Sequence, residues 1–195
     1  MIFCPFASIN SRMTNDEQII IQHIRSGKTE EFGLLMRRYG PALMLFVGRI
    51  VGQQEDTEDV VQDTFVTAYE HIADYDPKRA CILTWLQRIA YHEALYHLRR
   101  RKRQMVLPLD VGEDIPDELP TDTTAEQLDE AIRRLSPEDQ MLLQLYYFDQ
   151  RPLKEIAYIT GSTGDSLTRE ASRLSSQLLR IRQRLRIIIT RMNNE

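Results

Sequence analysis

The chain has 195 residues, 42% hydrophobic and 28% charged, enough apolar mass to bury a core and too much for a disordered or fibrous chain. No apolar run approaches the roughly 20 residues needed to span a bilayer, and nothing at the start reads as a secretory leader, so a cytoplasmic protein without membrane insertion is expected. The net charge of −4 is uneven: residues 1–103 carry +1, residues 104–124 carry −6 and residues 125–195 carry +1. One short segment supplies all the acidic excess, so the overall sign does not argue against nucleic-acid binding.

In chain order, residues 1–13 show no periodicity and read as a loose tail, with Met13 the expected initiator ahead of the helix-competent stretch TNDEQIIIQHI. Residues 14–103 form the first helical unit. Within it Val61, Phe65, Ala68, Tyr69 and Ile72 fall in an arc of about 100°, a core-facing stripe. On the other side Asp56, Asp59, Asp63 and Glu70 fall within about 60° and have no Lys or Arg at i+4. A solvated polar face is the plain reading of such a stripe. Unrelieved repulsion between its acids favours an external basic surface instead.

Residues 81–103, CILTWLQRIAYHEALYHLRRRKR, continue the unit. Leu83, Leu86, Ala90, Ala94 and Leu98 form its apolar arc. Trp85, Arg88, His92, Tyr96, Arg99 and Arg103 cluster within about 80° of one another, off the centre of that arc. Rings interleaved with cations suit a nucleic-acid single strand, because bases stack on the rings while guanidinium groups track phosphates. Trp85 reads equally well as a core residue. The five consecutive cations from Arg99 through Arg100 to Arg103 exceed what a helix C-terminal dipole needs. Two apparent metal signals fail. His92 and His97 stand five apart, about 140° around a helix, whereas a zinc-protease pair needs i and i+4. Cys4 and Cys81 match no zinc or disulfide spacing. No metal, no cofactor and no enzymatic nucleophile–base pair is expected.

Residues 104–124 carry Pro108, Pro116 and Pro120 among six acids and no basic residue, the composition of an extended linker. It reads as a solvated tether or as a strand that occupies a basic channel on a partner. Residues 125–195 form a second helical unit. Ser136 as N-cap, Pro137 at the first helical position and acids in the first turn mark a helix start, followed by Leu142, Leu143, Leu145 and Tyr146. A second helix is expected from Pro152 to Ile159, a turn at Thr160-Gly161-Ser162, and a third helix capped by Thr163 and beginning near Gly164. Helix, short glycine turn and helix is the arrangement that places a recognition helix in the major groove of duplex DNA. On the third helix Leu167, Ala171, Leu174, Leu178, Ile181, Leu185 and Ile188 step 4-3-4-3-4-3, a heptad seam. Arg169, Arg173, Arg180, Arg184 and Arg191 share an arc of about 60° opposite it, suited equally to phosphate contact and to plain solubility. A helix of some 25 residues reaches roughly 37 Å, so its distal seam, Ile181 to Ile189, is expected to meet something beyond the two preceding helices.

The run Asp56-Thr57-Glu58-Asp59-Val60-Val61-Gln62-Asp63-Thr64-Phe65, then Thr84-Trp85-Leu86-Gln87-Arg88-Ile89-Ala90 and the basic run, resembles region 2 of bacterial sigma factors. Leu135-Ser136-Pro137 through Leu153-Lys154-Glu155-Ile156-Ala157 and the Gly161 turn resembles region 4. With only these two regions and a short linker, the chain is similar to the extracytoplasmic-function (ECF) group of the sigma-70 family. The resemblance implies an all-α protein of two small helical domains joined by an acidic linker. It implies a non-catalytic initiation subunit that binds core RNA polymerase and promoter DNA, duplex and single-stranded, with an anti-sigma factor as a further partner. Asp56, Asp59, Gln62, Asp63 and Phe65 would bind the polymerase clamp helices. Trp85, Arg88, His92, Tyr96, Arg99, Arg100 and Arg103, with the loop from Tyr75 to Ile82, would melt and hold the −10 element. Thr163, Ser166, Thr168, Arg169, Ser172 and Arg173 would read the −35 element, and the linker would thread towards the RNA exit path.

Two departures from the family pattern stand out. Asn and Asp are frequent where this chain has His92 and Tyr96, and the usual Lys and Arg of the recognition helix align with Thr168 and Glu170. An atypical −35 sequence, or weak −35 dependence offset by Arg169 and Arg173, is therefore expected. Two other readings stay open: a free-standing helix-turn-helix regulator dimerising through the distal seam, and a protein-binding adaptor that has lost promoter recognition.

Overall fold

The computed structural model describes residues 15–104, 124–164 and 166–193, and every regular element among them is helical. The expected tail over 1–13 with Met13, and the linker apart from its ends Gln104 and Thr124, lie outside the described residues. Contacts gather the chain into two compact units. Of the described residues, those up to Leu98 with Tyr158–Ser162 make one, and the remainder, from Arg99 to Ala157 and from Thr163 on, make the other. By these contacts the first unit's boundary falls inside a helix, between Leu98 and Arg99.

The first unit is built on α1 (Asn15–Arg25), α2 (Phe32–Val51), α3 (Gln54–Glu70) and α4 (Ile82–Gln104). In α2 the buried Leu35, Tyr39, Ala42, Leu43, Phe46 and Val47 recur at helical spacing, and Pro41 sits on the exposed side. The helix stops at Gly52, whose φ of 81° is in the left-handed region and whose N–H donates to the Gly48 carbonyl at 2.9 Å. On α3 the predicted inward residues Val61, Phe65 and Ala68 are buried, while Tyr69 is half exposed. Phe32 meets Phe65 and Tyr69 edge-on, at centroid distances of 6.3 and 5.2 Å, joining α2 to α3.

Two polar ties hold the ends of these helices. Buried Glu17 of α1 accepts from the Tyr39 hydroxyl, and from Arg38 Nη2 at 3.2 Å. Burial and the adjacent carboxylate push the Tyr39 phenol well above its ordinary range. Arg25 donates to the carbonyls of Ile72 at 3.1 Å, Ala73 at 3.2 Å and Tyr75, satisfying acceptors in the turn that follows α3.

The second unit opens with α5 (Ala125–Arg133), an element not foreseen from the periodicity. Thr124 caps it, accepting from Gln127 N at 3.3 Å while the Gln127 side chain accepts from Thr124 N at 2.9 Å. Next, α6 (Pro137–Leu143) starts as expected, with Ser136 Oγ accepting from Asp139 N at 3.2 Å and Pro137 at the first helical position. The helix then widens into a π turn over Gln144–Phe148, which keeps Leu145 buried and leaves Tyr146, Tyr147 and Phe148 exposed. Two further helices follow, α7 (Leu153–Ile159) and α8 (Ser166–Asn193).

The start of α8 differs from expectation. Gly164 has φ of 60°, outside helical space, and Ser166 Oγ donates to the Thr163 carbonyl at 2.7 Å, so Ser166 rather than Thr163 uses its side chain at this end. The distal seam does meet something beyond the two preceding helices, but that element lies in its own unit rather than in another protein. Leu167 and Ala171 near the start are only half-buried, whereas Leu174, Leu178, Ile181, Leu185 and Ile188 are buried. The cover is α5, which packs along α8 with Gln127 Nε2 donating to Asn193 Oδ1 at 2.7 Å. The distal seam meets its own unit and needs no outside partner.

Candidate polymerase and nucleic-acid interfaces

The acid stripe lies on α3, whose first turn also carries Glu55 next to Asp56, a favourable place for negative charge at a helix N-terminus. Asp59, Gln62, Asp63 and Glu70 are exposed. Among the described residues Asp59, Asp63 and Glu70 have no ion-pair or hydrogen-bond partner. Two expectations on this helix need correction. Asp56 is not bare: its side chain is 25% exposed and its Oδ1 stands 3.6 Å from His97 Nε2 of α4. Phe65 is only 5% exposed and packs edge-on against Phe32, so its ring is core and presents no docking surface. Val66, not foreseen, is 52% exposed and lies between Gln62 and Asp59 on the helical wheel. An apolar residue in the middle of a polar face is the signal that could have found it.

The α4 face splits along its length. Its apolar arc is buried at Leu83, Leu86, Ala90 and Ala94 and half-buried at Leu98. Trp85, expected among the strand-stacking rings, is 7% exposed and packs against the Tyr75 ring at 5.3 Å, so it is a core residue. Tyr75 itself is buried, donates its hydroxyl to the Ala80 carbonyl at 3.1 Å and has its phenol pushed up by burial. That bond and the Asp76–Arg79 pair at 3.5 Å brace the loop ahead of α4. Arg88 is spent inside the first unit, donating to the carbonyls of Tyr158 at 3.0 Å, Gly161 at 2.9 Å and Ser162 at 3.3 Å. Further along, His92 is exposed and Tyr96 is 66% exposed, the most open of the large apolar residues described. Arg99 and Arg100 are exposed as well, with Arg99 donating from Nη2 to Glu138 Oε1 at 2.7 Å within the second unit. The side chain of Arg103 lies outside the described residues. The structure thus leaves His92 and Tyr96 open on the first unit's part of α4 and withdraws Trp85 and Arg88.

All six residues expected to read the −35 element, Thr163, Ser166, Thr168, Arg169, Ser172 and Arg173, are exposed around the start of α8. Glu170 stands 3.6 Å from Arg173 Nη1, so the aligned acid partly neutralises one of the two cations expected to compensate for it.

Residues 35–104 match the family described as sigma-70 region 2, which takes in most of α2, all of α3 and α4 and thus both faces just described. CnrH, an RNA polymerase sigma factor of Cupriavidus metallidurans, is 37% identical over 86 residues, 43% of this chain and 44% of that protein. The ECF sigma factor SigM of Mycobacterium tuberculosis is 24% identical over 182 residues, 92% of this chain and 91% of its own. Residues 35–104 are a sigma-70 region 2, and the chain as a whole is similar to sigma factors of the ECF group. At the identity of the CnrH match, and of the 30% match to the sigma-H factor of Pseudomonas aeruginosa, the aligned part spans less than half of either relative, 44% and 45%. Among solved structures, CnrH in complex with the cytosolic domain of CnrY aligns with a TM-score of 0.56 at 23% identity, over 88% of this chain and 96% of that one. The sigma factor RpoE from Bartonella quintana, solved with the anti-sigma factor NepR, aligns at 0.54 and 20% over 83% and 98%. At these identities the likeness carries the helical fold. Among the described residues no helix is long and apolar enough to cross a membrane.

Proposed function

We propose that this chain is a promoter-specificity subunit that binds core RNA polymerase in the cytoplasm, recognises −10 and −35 elements and promotes strand opening, without catalysis of its own. The observation that carries the reading is the pair Asp59 and Asp63, exposed and unpartnered among the described residues, on a helix inside the sigma-70 region 2 match. Like charges one helical turn apart repel by a few tenths of a kcal/mol and earn no intramolecular compensation here. A cationic helical surface on the polymerase would relieve them, with Gln62 and Val66 making neutral contacts beside them. Asp56, already beside His97, is a lesser contributor.

The −10 role then rests on Tyr96, His92 and Arg100. An open ring takes a base on its face, the imidazole offers a hydrogen bond and the guanidinium neutralises a phosphate. Trp85 and Tyr75 support this surface from beneath by fixing the start of α4 and the loop before it. The −35 role falls to the exposed start of α8, where Arg169 and Arg173 position the helix on phosphates and the hydroxyls of Thr168 and Ser172 reach base edges. A free-standing dimeric regulator loses its expected dimer surface, because the distal seam is buried within its own unit. By likeness to the two solved complexes, an anti-sigma factor is the further partner.

The test is run-off transcription with core polymerase on genomic DNA fragments. Discrete transcripts with wild-type chain are expected. They should be lost with Asp59→Lys plus Asp63→Lys while the circular dichroism spectrum stays unchanged. Transcripts of undiminished yield from that variant would remove the polymerase-docking role of α3.

A further inference from the structure

On α8, Arg173, Gln177, Arg180 and Arg184 follow at intervals of four, three and four residues, which puts all four within about 60° on one side of the helix. They face the start of α6, and together with Asp139 and Ile181 they line a cavity of about 250 Å³. Three guanidinium groups meet a single carboxylate in that lining, so it carries a positive excess. The carboxylate is already committed. Asp139 is buried, accepts from Gln177 Nε2 at 2.9 Å and from Arg184 Nη1 at 3.1 Å, and thereby holds both side chains in place. Arg184 uses one nitrogen for that bond and keeps the rest of its fork for another acceptor. Arg180 is exposed and has no partner among the described residues, and Arg173 meets only the Glu170 carboxylate at 3.6 Å.

Guanidinium forks around a concave space, with one of them anchored from behind by a buried carboxylate, are suited to planar bidentate recognition of an oxyanion. The volume lies below the 300–1,000 Å³ or so typical of drug-sized ligand sites, which suits a phosphate or pyrophosphate group better than a whole nucleotide. The geometry points to a phosphate-binding pocket between α6 and α8 that takes a phosphate or pyrophosphate group, with Arg180 and Arg184 as direct ligands, Arg173 at the rim and Asp139 as the positioning residue. Two sources share this chemistry: a free phosphorylated compound, or a phosphodiester of duplex DNA. The site rests on the second unit alone and involves no polymerase contact.

The experiment is calorimetric titration of the full chain with sodium pyrophosphate at low salt, comparing wild type, Arg180→Ala and Arg182→Ala. Arg182 is also exposed but points about 160° away from Arg180 around α8, so it serves as the charge-matched control. Arg180→Ala should weaken binding about tenfold, the worth of one charge-assisted hydrogen bond, and Arg182→Ala should change it by no more than about twofold. Repeating the series with a mixed-sequence duplex separates the sources. Loss specific to Arg180→Ala with pyrophosphate but not with duplex assigns a free phosphorylated ligand; loss specific to Arg180→Ala with duplex assigns a phosphodiester. Equal losses in the two variants with both probes, or insensitivity of both probes to Arg180→Ala, overturns the pocket. None of these readouts involves polymerase, so they are decided apart from the initiation role proposed above.

Discussion

The helices α3 and α4 each carry a face that the sequence marks for contact with something outside, and the structure treats the two faces differently. The α3 stripe stays at the surface almost whole, with Asp59, Gln62, Asp63 and Glu70 exposed and only Asp56 drawn towards another helix. The α4 face is cut in two: Trp85 is buried and Arg88 is occupied by three carbonyls, while Tyr96 stands open. The difference follows from side-chain chemistry. A carboxylate surrounded by carboxylates has nowhere inside to go, because burying it unpaired costs far more than leaving it wet. A tryptophan at the margin of an apolar arc gains a few kcal/mol by turning inward, and an arginine can cap any nearby cluster of open carbonyls. Acid stripes therefore report surface directly. Mixed aromatic and cationic faces report it only where the core has ended.

The sharpest way to break this comparison is to truncate one ring from each half of α4. Trp85→Ala should destabilise the protein by about 3–5 kcal/mol, read as a fall in urea midpoint. Tyr96→Ala should leave stability within about 0.5 kcal/mol, yet weaken binding of a single-stranded −10 oligonucleotide to the polymerase complex by about 1–3 kcal/mol. Reversal of the two phenotypes would restore Trp85 to the stacking surface. The same contrast exists within α3. Phe65→Ala should cost about 3–5 kcal/mol of stability, whereas Asp63→Asn should be neutral to folding and be felt only in polymerase affinity. A smaller effect grades the stripe itself: Asp56→Asn should weaken polymerase binding less than Asp59→Asn, because His97 already faces Asp56. Equal losses in a competition assay would mean that the His97 contact gives way on docking. Smallest, and in the other unit, Ser136→Ala should cost about 1 kcal/mol by orphaning the Asp139 N–H, measured by thermal unfolding.

Residues whose signal is local were the legible ones. Ser136-Pro137 announced the start of α6, and Gly161, with φ of 122°, marks the turn expected after α7. The inward positions of α3 came from a period that its neighbours did not blur. Elements whose identity depends on partners were not legible. Three glycines and Pro41 dilute the helical signal of α2, although its apolar positions form the centre of the first unit's core. The nine residues of α5 are mostly polar, and its signals are short, the Thr124–Gln127 capping box and the i, i+3, i+4 spacing of Leu128, Ala131 and Ile132. With α5 unseen, the cover of α8 had no candidate, and the buried run Ile187, Ile188 and Ile189 looked like a surface awaiting a partner. The π turn at Gln144–Phe148 has no sequence signal of its own, so the exposure of Tyr146 ran against its expected place among the helical leucines. At the candidate site the carboxylates were found and the apolar residue beside them, Val66, was missed. Burial of Phe65 was implied by its place on the apolar arc, and the family pattern overrode that implication.

Everything proposed for initiation depends on α3 meeting a cationic surface on the transcription machinery. Gel filtration of purified core RNA polymerase with wild-type chain and with the Asp59→Lys, Asp63→Lys variant, at low salt, tests this most directly. Wild-type chain is expected to elute with the polymerase and the variant to elute alone with an unchanged circular dichroism spectrum. Failure of the wild-type chain to co-elute, or co-elution of the variant at equal stoichiometry, would contradict it.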